Sequence, residues 1–283
     1  MNLAPAHPGA GEPLPPFDNR PPPWHPLLVI PQAIILLGGK GTRIAAQFPD
    51  RPKCLVPVAG RPFLEWQFDW LRANGLSRVL LAAGHMADVL QGHVDARPPD
   101  GLSLALSREP SPLGTGGALK HVEPLLASDP VLVLNGDSLT PRLEFSTLWK
   151  KVFHTVENPA GFFHAVEKKF PHCGKIFVAP IEDAGRYGTV EFDPDGFVTA
   201  FREKAERSAG FVNTGLYLLP LDLLADIPAG RAVSLETEIF PALAARRRLV
   251  ALPAPPPLLD MGTPDGRAAM EHFLLKRTPR QGA

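Results

Sequence analysis

The stretch Gln32–Lys53, QAIILLGGKGTRIAAQFPDRPK, constrains this chain more than any other. It opens on an apolar, β-branched run, Ala33-Ile34-Ile35-Leu36-Leu37. A run without polar alternation predicts a strand buried on both faces, as in a parallel sheet. The chain then turns through Gly38-Gly39-Lys40-Gly41-Thr42-Arg43. Three glycines in four positions let the backbone bend sharply and aim its N–H groups at an anion. Arg43 ends the loop, and Lys53 follows ten residues on, behind Pro52. Strand, glycine loop and two fixed cations predict a polyphosphate site. Two commoner glycine motifs are excluded. A P-loop needs GxxxxGK followed by Ser or Thr, which is absent, and the third glycine of GxGxxG is replaced by Ile44.

Composition bounds the rest. A chain of 283 residues holds one large α/β domain or two small ones. Its formal net charge is zero, so no global field favours nucleic acid or an anionic membrane. The basic run Arg246-Arg247-Arg248 is short and reads as the solvated end of a helix. Two cysteines, Cys54 and Cys173, make no disulfide framework and suit a reducing compartment. With no apolar run of membrane-spanning length and no signal pattern, a soluble cytoplasmic protein is expected.

Ten of the 34 prolines fall in residues 1–31. Such a segment cannot bury enough surface to offset its ordering entropy, so residues 1–30 are expected to be a disordered tail, with Trp24 able to pack locally. One domain, 31–278, and a flexible C-terminus, 279–283, follow. Pro62 at a helix start and Gly75 as a cap predict a helix from Phe63 to Asn74. Strands at Arg78–Gly84 and Leu102–Ser107, with helices at Met86–Val94 and from Gly114 to about Leu126, alternate with short connections. That alternation predicts a three-layer α/β/α sandwich around a mostly parallel mixed sheet. Val131–Leu134 reads as a central strand and ends in Asn135-Gly136-Asp137. Open α/β sheets keep their ligands at this carboxyl end, although an Asp there could instead merely cap the next segment.

A helix is expected over Phe145–Val156. The stretch Glu157–Gly174 exceeds an ordinary connection of ~2–6 residues. Its His164, His172 and Cys173 match no usual zinc spacing. From Lys175 the pattern changes to short strands: Lys175–Pro180, Tyr187–Asp193, Gly196–Arg202 and Phe211–Leu219. Asp193-Pro194-Asp195-Gly196 is a hairpin signal, so an antiparallel addition to the parallel core is expected. Helical patterns return at Leu221–Asp226, Leu235–Arg247 and Pro264–Lys276. A second acid, Asp260, ends the run Pro257-Leu258-Leu259.

The segment GGxGTR with PK ten residues beyond resembles the signature of sugar-1-phosphate nucleotidyltransferases. Later stretches resemble that family in its order: PLGTGGA at Pro112–Ala118, Asn135-Gly136-Asp137, RYGTVEFD at Arg186–Asp193, FREK at Phe201–Lys204, VNTGLYLL from Val212, and LDMGTP at Leu259–Pro264. The likeness covers about residues 32–275 and is nearest the mannose- and heptose-1-phosphate guanylyltransferase branch. It implies a Rossmann-like fold, with the antiparallel addition on the sugar side. It also implies nucleotide contacts from Leu37, Gly38, Gly39, Gly41, Thr42, Gly114 and Thr115. Arg43 would hold the triphosphate, and Lys53 would bridge the α-phosphate and the sugar phosphate. Asp137 and Asp260 would hold Mg²⁺. Lys204 would grip the sugar phosphate, with Gly188, Glu203 and Asn213 facing sugar hydroxyls. Two departures stand out: Leu37 replaces a common Ala, and Ala205 follows Glu-Lys where Pro is usual.

The chemistry such a site performs is simple. A phosphate monoester, with a second pKa of about 6, is already ionised near neutral pH and needs no general base. Bringing two polyanions together by cations and a metal is sufficient. His85, His93, His121 and His154 then read as surface or packing residues. Glu109, just upstream of Pro112, only accepts hydrogen bonds when ionised, and guanine offers two adjacent donors. So placed, Glu109 would favour GTP, although it reads nearly as well as a solvated residue at a strand end. The resemblance adds a manno-configured sugar 1-phosphate, to give an NDP-sugar and pyrophosphate for surface polysaccharide. Use of UTP or CTP, or a non-catalytic NDP-sugar-binding relative, stays open, as does a homo-oligomer.

Overall fold

A computed structural model describes residues 31–39, 41, 44, 46–145, 166, 168–182, 187–203 and 209–277. The expected tail with Trp24, most of the expected helix Phe145–Val156, His154 and His164 lie outside these. So do the site residues Thr42, Arg43 and Lys204.

The chain begins with β1 (Ala33–Leu37), a short ladder of β2 (Pro57–Val58) with β3 (Arg61–Pro62), and helix α1 (Phe63–Ala73). Strand β4 (Arg78–Ala83), helix α2 (Ala87–Ala96), β5 (Ser103–Arg108), α3 (Gly114–Val122) and β6 (Val131–Asn135) follow. Next come β7 (Ser138–Leu139), β8 (Gly174–Ile181), β9 (Thr189–Phe192), β10 (Val198–Arg202) and β11 (Gly210–Leu219). A 3-10 turn Leu221–Asp226 and a π turn Leu235–Ile239 lead into α4 (Phe240–Ala245). The described chain closes with β12 (Leu249–Pro253), β13 (Leu259–Asp260) and α5 (Pro264–Arg277). The helix expected to reach Leu126 ends at Val122, because Pro124 forces a 3-10 turn there.

Among the described residues nine strands make one mixed sheet. Its main path runs β10-β9-β11-β6-β1-β4-β5, and β8 pairs with both β11 and β12. The half containing β6, β1, β4 and β5 is parallel, whereas β11 runs antiparallel to β6 and carries β8 and β9 with it. The antiparallel addition is thus a continuation of the same sheet. Strand β12 was not expected from sequence; its run Leu249-Val250-Ala251-Leu252 lies parallel to β8.

Period-two alternation places this sheet between two apolar layers. From β1, Ala33, Ile35 and Leu37 join one core with Phe63, Leu64 and Leu71 of α1 and Met270 and Leu274 of α5. Ile34 and Leu36 join the other, with Ala118, Leu119 and Val122 of α3 and Phe240 and Leu243 of α4. Strand β1 is held in register from both sides, Leu37 opposite Ala83 of β4 and Leu36 opposite Asn135 of β6. That fixes where its carboxyl end, and the glycine loop after it, must emerge.

The arginine run does not simply end a helix in solvent. Arg246 pairs with Asp226, Arg248 with Asp222, and Arg247 with Asp193 while lying 4.3 Å above the Phe197 ring. These residues tie α4 to the β9–β10 hairpin and to the turn after β11.

Candidate active site

The carboxyl ends of β1, β5 and β6 open on a cavity of about 370 Å³. Leu37, Gly38, Gly39, Gly41, Lys53, Glu109, Gly114, Thr115 and Asp137 all line it. Nine expected residues, far apart in sequence, thus share one concave surface.

Its floor is charged. Pro52, extended at φ −67° and ψ 152°, delivers Lys53 into a 3-10 turn. Lys53 Nζ then donates to Asp137 Oδ2 at 2.6 Å. Asp137 leaves β6 through Gly136, whose N–H donates to Leu36 O at 3.0 Å. A Cβ on Gly136 would lie 2.3 Å from Leu37 Cδ2, so only glycine fits beneath Leu37. Leu37 is itself 7 % exposed. It packs the turn as well as bordering the cavity.

Asp260 reaches the same point from the other end of the chain. The two-residue ladder β7–β13 sets Asp260 opposite Ser138, and Met261 N–H donates to Asp137 O at 2.9 Å. Asp260 Oδ1 accepts from Gly262 N–H at 2.7 Å, and its Oδ2 accepts from Tyr187 Oη at 3.4 Å. A Cβ on Gly262 would sit 3.0 Å from Asp260 Oδ1 and 3.4 Å from Lys53 Nζ. Burial, and then the neighbouring Asp137 charge, hold the Asp260 carboxyl above its ordinary range, against the pull of Gly262 N–H, Lys53 and Tyr187. Two carboxylates that repel each other beside a cavity are a donor set suited to a hard divalent cation, whose remaining ligands would be phosphate oxygens and water. Among the described residues there is no group of three or more His, Cys, Asp or Glu that could hold a metal ion.

Glu109 forms one wall. Its Oε2 accepts from Leu113 N–H at 3.1 Å, while Oε1 is buried against Gly38 with no hydrogen-bond partner among the described residues. A Cβ on Gly38 would meet that oxygen at 2.2 Å, and one on Gly84 would meet Gly38 Cα at 2.9 Å. Burial raises the Glu109 pKa, opposed by Leu113 N–H and then by His121. In this conformation the carboxylate does not present both oxygens to the cavity. A two-point contact with guanine requires it to turn away from Gly38.

The glycine run at 114–117 is glued to the segment before α4. Gly114 adopts φ +69°, and a Cβ there would lie 2.5 Å from Val233 O. Gly116 and Gly117 N–H both donate to that same carbonyl, at 2.9 and 3.2 Å. Thr115 Oγ1 donates to Glu236 Oε2 at 2.7 Å and accepts from Leu235 N–H at 2.9 Å. Glu236 also accepts from Ser234 Oγ (3.0 Å) and, through Oε1, from Tyr217 Oη (3.1 Å). Tyr217 is fully buried; burial and then the Glu236 charge push its pKa well above the usual phenol value. Its oxygen accepts from Asn213 Nδ2 at 2.9 Å. Glu236 and Tyr217 were not singled out in the sequence, and they link Thr115 to Asn213.

Of the residues expected on the sugar side, the described ones, Gly188, Glu203 and Asn213, do not line the cavity. Asn213 is half-buried and holds Gly215 N–H through Oδ1. Gly188 is exposed, and a Cβ there would lie 2.7 Å from Arg202 O, the carbonyl just before exposed Glu203.

A Rossmann-like sheet with a glycine loop, a lysine and paired carboxylates at its strand ends defines a nucleotidyl-transferring enzyme. The chain belongs to the nucleotidyl transferase family, whose pattern matches residues 32–276. It is 32 % identical over 207 residues to D-glycero-alpha-D-manno-heptose 1-phosphate guanylyltransferase of Campylobacter jejuni, covering 72 % of this chain and 83 % of that one. It is 32 % identical over 214 residues to mannose-1-phosphate guanylyltransferase of Mycobacterium tuberculosis, covering 75 % of this chain and 55 % of that one. HddC from Yersinia pseudotuberculosis has the same fold, with a TM-score of 0.72 and 24 % identity over 87 % of this chain and all of that one.

Proposed function

We propose that this protein condenses GTP with a mannose- or heptose-like sugar 1-phosphate, giving a GDP-sugar and pyrophosphate. The observation that carries the proposal is the Lys53–Asp137 ion pair of 2.6 Å on the floor of a glycine-lined cavity. Asp260 is close enough to feel the Asp137 charge, though it does not itself line the cavity. The names of the relatives support the choice of base and sugar.

An oxygen of the sugar phosphate attacks the α-phosphorus of the nucleotide. The new P–O bond forms as the bond to the β-phosphate oxygen breaks, and pyrophosphate carries away the electron pair. The nucleophile is already an anion, so no side chain must remove a proton. Lys53, which lines the cavity, is assigned to the α-phosphate, where it would hold the two phosphates together against their repulsion. In this reading the backbone N–H groups at Gly38, Gly39 and Gly41 receive the triphosphate, to which Thr42 and Arg43 are also assigned. Asp137 and Asp260 would hold a divalent cation, Mg²⁺ in this proposal, which when bound offsets charge on the phosphates. Lys204, with Gly188, Glu203 and Asn213, is assigned to the sugar phosphate. Glu109 is assigned to guanine. The non-catalytic alternative loses ground because Lys53, Asp137 and Asp260 converge. Among the described residues no helix is long and apolar enough to cross a membrane. Cys54 and Cys173, both buried, fit action in the cytoplasm, where the substrate nucleotides are.

Pyrophosphate release measured across four nucleoside triphosphates and a panel of sugar 1-phosphates tests the proposal. Turnover should be fastest with GTP and a manno-configured sugar. Equal turnover with all four nucleotides would overturn the choice of base.

A further inference from the structure

Gln67 lies in the middle of α1, and none of its surface is exposed. Its Nε2 donates to Asn135 O at 2.9 Å and to Ser138 O at 3.2 Å. Both partners are carbonyl oxygens, so only the NH₂ end of the amide can serve them, and that fixes its orientation. The other end, Oε1, is buried with no hydrogen-bond partner among the described residues. A side chain present for packing alone at this position would be apolar, because a buried polar atom without a partner is costly.

The two carbonyls bracket Gly136 and Asp137. One amide therefore staples both ends of the turn that carries the Asp137 carboxylate. The same turn is pinned from β1 by Gly136 N–H on Leu36 O and from β13 by Met261 N–H on Asp137 O. Ser138, whose carbonyl Gln67 holds, is the residue paired with Asp260. The clamp thus acts on the spacing of the two carboxylates, while Gln67 touches neither.

We propose that Gln67 is a positioning residue for the divalent-cation site formed by Asp137 and Asp260, holding the 135–138 turn closed so that both carboxylates meet one ion. This rests on reading that pair as the cation site. Residues that orient metal ligands change affinity about 10–100-fold when removed, and a similar loss is expected here.

The test is a Mn²⁺ titration of the full chain followed by electron paramagnetic resonance, without substrates. Wild type, Gln67→Met and Asp137→Asn are compared. Met keeps length and apolar bulk but donates nothing. Gln67→Met should fold, by circular dichroism, yet bind Mn²⁺ about tenfold more weakly. The Mg²⁺ concentration for half-maximal turnover should rise in parallel, with KM for GTP unchanged at saturating Mg²⁺. A purely structural role would lower the melting temperature and leave both metal readouts alone. Wild-type Mn²⁺ affinity in Gln67→Met would overturn the clamp while leaving the cation site intact. Mn²⁺ binding that is unaffected by Asp137→Asn would overturn the cation site and the clamp together. Should Gln67→Met not fold, Gln67→Glu carries the test. It has nearly the same shape but at most one proton for two carbonyls, so its Mn²⁺ affinity should also fall. Unchanged affinity there overturns the proposal.

Discussion

Lys53 and Asp137 lie 84 positions apart in the chain, yet their side chains meet at 2.6 Å where β1 and β6 end. Both are partly exposed, at 17 % and 34 %. A pair in that setting adds at most about 1 kcal/mol to stability. Its value lies in chemistry. Lys53→Met should therefore melt within a few degrees of wild type but lose ~10²–10³ in kcat, the ~2–4 kcal/mol of a lost transition-state contact. Kinetics and a thermal melt on the same preparation check this. A variant with near wild-type turnover would remove Lys53 from the mechanism.

Asp260 carries the opposite sign of stability effect. Its folded pKa is raised, so the folded protein binds that proton more tightly than the unfolded chain does. Its contribution to stability falls as pH climbs from the ordinary carboxylate value through the raised one, and the cost persists at neutral pH. Asp260→Asn should therefore be at least as stable as wild type at pH 7 without metal, while losing ~10²–10³ in turnover. Mg²⁺ should raise the melting temperature of wild type and leave that of the variant unchanged. A less stable metal-free variant would contradict the raised Asp260 pKa, which burial and then the Asp137 charge cause.

Glu236 receives three hydroxyl donors, from Thr115, Ser234 and Tyr217. Glu236→Gln would set an NH₂ group against at least one of them. A loss of about 1–3 kcal/mol in urea unfolding is expected. Thr115→Val and Glu236→Ala should be non-additive, because each removes the Thr115–Glu236 contact. Strict additivity would mean that the contact carries no energy.

The framework of this fold was readable because buried parallel strands announce themselves as unbroken apolar runs. Ala33–Leu37 and Val131–Leu134 did so, and Asp137 follows directly. The partnership of Asp137 with Asp260 was given by resemblance alone, since the ladder that makes it is two residues long on each side. Glu236 stayed hidden in Ser234-Leu235-Glu236-Thr237-Glu238, which reads as helix capping. Ser234 does cap, accepting from Thr237 N–H and donating its own N–H to Glu238. Gln67 gave no signal, because the carbonyls it serves belong to a distant turn. The run at Leu249 was passed over because its partner is β8, reached only through the three-dimensional path of the chain.

Glu109 offers a test of base choice. Its raised pKa reflects burial, so the ionised form costs stability at neutral pH, and Glu109→Gln should melt no lower than wild type. If the carboxylate turns from Gly38 to accept from guanine, the same substitution should erode the GTP-over-UTP preference by about 1–3 kcal/mol. The ratio of kcat/KM for the two nucleotides decides it. An unchanged ratio would leave Glu109 as a wall of the pocket.

The most direct measurement follows the phosphorus atoms. Wild-type protein is incubated with Mg²⁺, mannose 1-phosphate or heptose 1-phosphate, and GTP labelled separately at its α- and γ-phosphates, and the products are separated. The account predicts that the α label moves into a GDP-sugar while the γ label leaves in pyrophosphate, in equal amounts. Release of the γ label as inorganic phosphate, or an α label that never joins the sugar, would contradict nucleotidyl transfer at this site.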